Sequence, residues 1–184
     1  MLLGMKAEID IPSDFPYLTP PVDGLDAPSC GDGFNVGLVW AGRESHLVEA
    51  QRSLDLVQLK PLTEVVGCRF FALHEDDRSE ELAAAGMADT VMDLSGQLSD
   101  FGDTARVIAG LDLVIGVDTA VVHLAGALNV PVWTMLAKIG DWRWMLERED
   151  TPWYPAMRLF RQKERGEWTP VIRRVVRELT MLRG

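Results

Sequence analysis

The stretch Gly116-Val117-Asp118-Thr119-Ala120-Val121-Val122-His123 brings a carboxylate, a hydroxyl and an imidazole within a few residues of each other. An apolar run ends at Val117, and Asp118-Thr119 then opens a helical pattern that continues to Leu128. The first turn of a helix leaves backbone N–H groups without partners and carries the positive end of the helix dipole, which together suit a phosphate. Thr119 adds a hydroxyl donor, and His123, four residues on, shares its helix face and turns toward the same mouth. Two other roles fit the same pattern: Asp118 as a helix cap and His123 as a core histidine with its ring nitrogens satisfied. The residue types alone leave both sets of roles open.

A second group surrounds Gly42. Arg43 and Arg52 flank the segment that follows the first apolar run, and either guanidinium could clamp a diphosphate. Lone arginines on an acidic surface also form ordinary ion pairs. Five of the six tryptophans fall between Trp133 and Trp168. Trp142-Arg143-Trp144 offers rings for stacking on a sugar or base, while core filling or burial against another domain is the expectation for most of the tryptophans.

Several chemistries are excluded by what is missing. The segment Trp40-Ala41-Gly42-Arg43-Glu44-Ser45-His46 is not G-x-G-x-x-G, which disfavours a dinucleotide oxidoreductase. There is no G-x-x-x-x-G-K-[ST] phosphate loop and no G-x-S-x-G nucleophile elbow. His46, His74 and His123 are too scattered for a sequence-local metal site, so no metal is expected. Cys30 and Cys68 fit no metal or redox spacing and point to a reducing compartment.

These residues need elements to position them. Short apolar runs at Val36–Trp40, Arg69–Leu73, Thr90–Leu94, Leu113–Val117, Val130–Met135 and Met157–Phe160 read as buried parallel strands. Helical periodicity fills the intervals. One helix is expected from an N-cap at Ser53 through Leu62, limited by Pro61, and another over Ser79–Ala85, ending at Gly86. A third runs from Asp100 to Gly110 with Phe101, Thr104, Ala105 and Ile108 on one face, and a fourth from Thr119 to Leu128. The last covers Thr169 to Leu182, with Val171, Ile172, Val175, Val176 and Leu179 inward and its arginines outward. Alternating strands and helices predict an α/β fold: a Rossmann-like parallel sheet of about six strands with helices on both faces. Ligands in such folds lie at the carboxyl ends of the strands, near the point where strand order reverses.

With 184 residues, 47% of them hydrophobic and 25% charged, the chain has the size and composition of one packed domain. A formal charge of −10 and a pI near 4.7 argue against a nucleic-acid partner. The charge is uneven: residues 1–105 hold 6 basic and 19 acidic side chains, residues 106–184 hold 12 and 9, so an anionic ligand should prefer the second half. Met1–Asp10 does not form a signal peptide and no run approaches a membrane span, which makes the cytoplasm the expected location. Residues 1–34, rich in Pro and Gly, read as an extended lead-in or interdomain linker to a domain over 35–184.

The stretches VGLVWAG, VDTAVVHLAGALNVPVW and DWRWMLEREDTPWYPAMRLFRQ resemble the carboxyl-terminal half of GT-B glycosyltransferases. They are most similar to glycosyltransferase family 9, the ADP-heptose:lipopolysaccharide heptosyltransferases, and to the glycosyltransferase-like domain that follows tetratricopeptide repeats in many bacterial proteins. The resemblance covers about residues 35–182. It implies that Asp118, Thr119 and the Ala120 amide meet the phosphates or ribose of a nucleotide sugar, with His123 beside them. Gly42, Arg43 and Arg52 then fall in the loop that supplies a cationic phosphate contact. The family usually has Gly where this chain has Ala120, and a methyl there crowds close backbone approach. The acceptor site and catalytic base of the family lie in an amino-terminal domain that residues 1–34 cannot supply, while Ile11–Leu18 resembles the segment joining the two halves. The resemblance therefore implies a donor-binding domain, inactive alone, with a nucleotide sugar as substrate and neither cofactor nor catalytic residue of its own. The competing expectation is a non-catalytic scaffold of a tetratricopeptide-repeat protein with a degenerate donor site.

Overall fold

The computed structural model describes residues 11, 14–23, 25, 33–42 and 54–184. Six strands form a single parallel sheet: β1 (Phe34–Val39), β2 (Cys68–Ala72), β3 (Val91–Asp93), β4 (Leu113–Val117), β5 (Val132–Leu136) and β6 (Met157–Arg161). Their order is β3-β2-β1-β4-β5-β6, which places the reversal of winding between β1 and β4. The register there pairs Val36 with Leu113 and Val39 with Gly116, so the two strands end side by side.

Among the described residues, α1 (Lys60–Thr63), α2 (Ser79–Ala84), α3 (Phe101–Ala109) and α4 (Ala120–Ala127) lie between strands, and α5 (Thr169–Arg183) follows β6. The alternation of strand side chains sorts them into two layers. Val36, Leu38 and Trp40 point into a core shared with Leu62, Leu82 and the inward face of α5. Val39, Phe71 and Val114 point the other way, against Val107 and Ile108 of α3 and Val122 and Ala125 of α4. The fold is the expected Rossmann-like α/β sheet of six strands with helices on both faces.

The helix expected from Ser53 differs in detail. A 3-10 turn at Leu56–Leu59, capped by the Asp55 side chain, leads into the single turn of α1. Pro61 sits in the first turn of α1, where its missing N–H costs nothing, and the chain cannot run straight through it as one α-helix. Ser53 lies outside the described residues. Phe101 is also placed differently: as the first residue of α3 it is 59% exposed, while Thr104, Ala105 and Ile108 are buried as expected. At the other end of α2, Gly86 takes φ +64, the left-handed closing position that favours glycine.

The described part of the lead-in lies along α3 and α4 without regular secondary structure. Tyr17 and Leu18 both donate their backbone N–H to the Ala127 carbonyl at the end of α4, at 3.1 and 3.3 Å. Arg106 of α3 donates to the carbonyls of Leu25 (3.0 Å), Pro21 (2.8 Å) and Val22. Leu25 returns its N–H to the Asp103 carboxylate and packs against the α3–α4 core. Among the described residues no helix is long and apolar enough to cross a membrane.

Candidate functional site

The carboxyl ends of β1 and β4 bring Trp40–Gly42 beside Asp118–Thr119, because Val39 pairs with Gly116. Gly116 also lets α4 start close to the sheet: a Cβ there would lie 3.1 Å from Val122 of the helix and from Val39. The cap position of α4 is Thr119, with extended backbone (φ −136, ψ 168), and not Asp118. Thr119 makes no side-chain capping bond, and its Oγ1 is buried without a hydrogen-bond partner. The first-turn amides of α4, from the exposed Ala120 onward, therefore receive no cap from that hydroxyl.

His123 is half-buried at this mouth, not enclosed in the core. Its Nε2 lies 3.6 Å from Asp118 Oδ1, an electrostatic contact longer than a hydrogen bond. Nδ1 lies 2.9 Å from the Tyr154 hydroxyl. The imidazole stacks on the fully buried Trp144, with ring centroids 5.0 Å apart and planes 23° from parallel, and meets Tyr154 edge-on. Burial, with a hydrogen bond to Tyr17 second, pushes the Tyr154 phenol well above its ordinary pKa and keeps it protonated.

A buried polar cluster anchors the facing loop. The Trp40 indole N–H donates to Glu81 at 2.8 Å, and the Trp40 backbone N–H to His74 Nε2 at 3.4 Å. Arg78 binds Glu81 and Asp76, each at 2.6 Å, and reaches the Gly42 carbonyl at 3.4 Å. Burial first, then the Arg78 charge, lowers the His74 pKa to about 4, so this ring is neutral and accepts through Nε2. Beside the cluster opens a cavity of about 490 Å³ lined in part by Trp40, Gly42, Asp55, Arg78 and Glu81. A smaller cleft at the ends of β4 and β5 is lined by Asp118, Leu136, Ala137, Ile139 and Gly140.

The structure thus brings together Asp118, Thr119, Ala120 and His123, with Gly42 across the switch point. Arg43 and Arg52 lie outside the described residues. Of the tryptophans, Trp40, Trp144 and Trp168 are buried, Trp133 packs on Phe160, and Trp142 is 70% exposed beside Trp153. Sequence reasoning missed Tyr154, Tyr17 and the Trp40–His74–Arg78–Glu81 cluster. Gly126 was the readable clue to Tyr154, since a glycine inside an apolar helix signals close approach, and here a Cβ would stand 2.5 Å from the Tyr154 ring. Among the described residues no group of His, Cys, Asp and Glu side chains is arranged to hold a metal ion.

Residues 66–144, from just before β2 through the Trp142–Trp144 turn, match the model of glycosyltransferase family 9 (heptosyltransferase). That match covers less than half of the chain. That span includes Asp118, Thr119, Ala120 and His123 and stops short of Gly42, Arg43 and Arg52. The domain shares its fold with E. coli ADP-heptose lipopolysaccharide heptosyltransferase II (TM-score 0.60, 15% identity), covering 83% of this chain and 47% of that one. E. coli heptosyltransferase WaaC, solved with ADP-2-deoxy-2-fluoro heptose, superposes with TM-score 0.57 at 18% identity, over 83% of this chain and 45% of the other. A family 9 glycosyltransferase from Veillonella parvula does so with TM-score 0.58 at 12% identity, over 84% and 48%. Protein FlbA of Caulobacter vibrioides is 32% identical over 153 residues, which is 81% of this chain and 25% of FlbA. The chain therefore covers about a quarter of that relative and just under half of the solved chains.

Proposed function

We propose that this domain binds the nucleotide-sugar donor of a glycosyltransferase, in the manner of the carboxyl-terminal half of a GT-B enzyme. The observation that carries this reading is the start of α4. It opens at the switch point of the sheet, without a side-chain cap from Thr119, inside the span that matches family 9. A diphosphate placed over the first turn would meet backbone N–H groups and the helix dipole, with His123 and the Thr119 hydroxyl alongside. Asp118 favours a proton on the facing His123 nitrogen and offers oxygen acceptors to ribose hydroxyls. The same donors that hold the diphosphate in the ground state stabilise it as a leaving group.

In this reading the acceptor and its activating base come from a separate amino-terminal domain, so the chain by itself transfers no sugar. Turnover of any nucleotide sugar by the isolated chain overturns that part. Donor binding is tested by thermal shift with ADP, UDP and GDP, since a ligand at 100 times its Kd stabilises by about 2.7 kcal/mol. No shift with any of the three at millimolar concentration refutes the binding reading. Asp118→Ala is expected to weaken the responding nucleotide about tenfold, from loss of the ribose acceptor and of the His123 contact.

One observation favours a second reading. The exposed Ala120 stands where the family usually has glycine, as it would in a scaffold module of a tetratricopeptide-repeat protein whose donor site has decayed. A weak nucleotide response that Asp118→Ala leaves unchanged supports the scaffold.

A further inference from the structure

Tyr154 belongs to the segment before β6, yet it meets His123 of α4. The Tyr154 hydroxyl lies 2.9 Å from His123 Nδ1, while Nε2 faces Asp118 at 3.6 Å. The proton positions follow from these contacts. A carboxylate beside Nε2 favours an N–H there over a lone pair, so in the neutral ring Nδ1 is the acceptor. The Tyr154 hydroxyl must then donate to Nδ1. This direction gives the imidazole a donor on one side and an acceptor on the other, and burial holds the phenol in the protonated form that it needs.

Packing holds the chain in place. The Tyr154 ring lies against α4 at Gly126, where even a methyl group would overlap it. The Phe15 ring touches both tyrosines, with centroids 5.3 Å from Tyr17 and 6.4 Å from Tyr154. Trp144 on the other side fixes the plane of the imidazole.

We infer that Tyr154 is a positioning residue that fixes the orientation and tautomer of His123 so that its Nε2–H faces the mouth of α4. The inference rests on the donor-binding reading for its functional consequence: a fixed N–H donor beside the diphosphate in place of a ring free to turn. Each substitution that removes a hydroxyl and keeps its ring isolates the hydrogen bond from the packing.

The test combines nitrogen NMR of the His123 imidazole in mildly alkaline buffer with ADP titration of the same samples. The wild type is expected to show a protonated Nε2 and a hydrogen-bonded, unprotonated Nδ1. In Tyr154→Phe the Nδ1 signal should move toward that of a free imidazole nitrogen, and ADP affinity should fall several-fold with little change in Tm. A protonated Nδ1 in the wild type overturns the inference. So does a Tyr154→Phe variant whose nitrogen signals or ADP affinity stay at wild-type values. If the wild type binds no ADP, UDP or GDP, the donor-binding reading fails and the positioning role falls with it. The nitrogen signals then still decide whether the hydrogen-bond chain exists.

Discussion

Acidification should weaken this fold through one histidine before its carboxylates begin to titrate. His74 is 4% exposed, and burial, then Arg78, lowers its pKa from 6.5 to about 4. Between these values the unfolded chain binds a proton that the folded chain refuses, so stability falls as pH drops from about 6.5 through about 4. A separation of roughly 2.5 units at 1.36 kcal/mol each amounts to about 3 kcal/mol, and about 2 kcal/mol of it is lost between pH 7 and 5. Glu81 in the same cluster does not confuse the window. Burial raises its pKa, but hydrogen bonds from Trp40 and Arg78 outweigh that and leave it below the ordinary Glu value, so its contribution disappears only at lower pH. The assay is urea unfolding at pH 7, 6 and 5 for the wild type and His74→Gln, which keeps an acceptor for the Trp40 N–H and removes the titration. The wild type should lose about 2 kcal/mol more than the variant over that range. Parallel losses in the two proteins would refute the reasoning, whatever the starting stability of the variant.

Two further substitutions probe the frame around the site. Gly126→Ala places a Cβ 2.5 Å from Tyr154 Cγ and 3.0 Å from its Cβ, contacts too near the backbone for the side chain to swing clear. It should destabilise by about 1–2 kcal/mol despite the better helix propensity of alanine, and the His123–Tyr154 hydrogen bond should be lost; thermal unfolding and the His123 nitrogen signals report both. Arg106→Ala removes the guanidinium shared by the Pro21, Val22 and Leu25 carbonyls. It should cost about 1–2 kcal/mol and speed limited proteolysis between Asp14 and Leu25, while a cleavage rate unchanged from wild type contradicts the contact.

The elements were legible where one local pattern decides them. The apolar run Leu113–Val117, ending in Asp-Thr, gave both β4 and the start of α4, and Gly86 marked the end of α2. Edges were less readable. β5 begins at Val132 and not Val130, because Asn129 closes α4 with a positive φ and Val130 donates to Ala125 as part of that closing turn. Phe101 fitted an apolar face by spacing, yet the first turn of α3 projects past the core it would have joined. The site divides the same way. Asp118, Thr119, Ala120 and His123 are neighbours in sequence, so helix geometry alone groups them. Tyr154 is 31 residues from His123, and Glu81 is 41 from Trp40. Only the side-by-side order of the strands closes those gaps, and no periodicity in a single sequence encodes it. Arg43 and Arg52, which fall outside the described residues, keep the standing their residue type and spacing gave them.

The grip of the lead-in on the far end of α4 bears on how well a ligand could be held at the near end. Eight residues make a rod of about 12 Å at 1.5 Å per residue. If such a rod pivoted by about 10° at its tail, its leading amides would sweep through about 2 Å, the difference between a formed hydrogen bond and a lost one. Tyr17 and Leu18 fasten that tail through the Ala127 carbonyl, and the Tyr154 ring wedges against the middle of the rod at Gly126. The tail of α4 is thus tied to a segment that precedes the entire sheet, and the ring that resists its rotation comes from the segment just before the last strand.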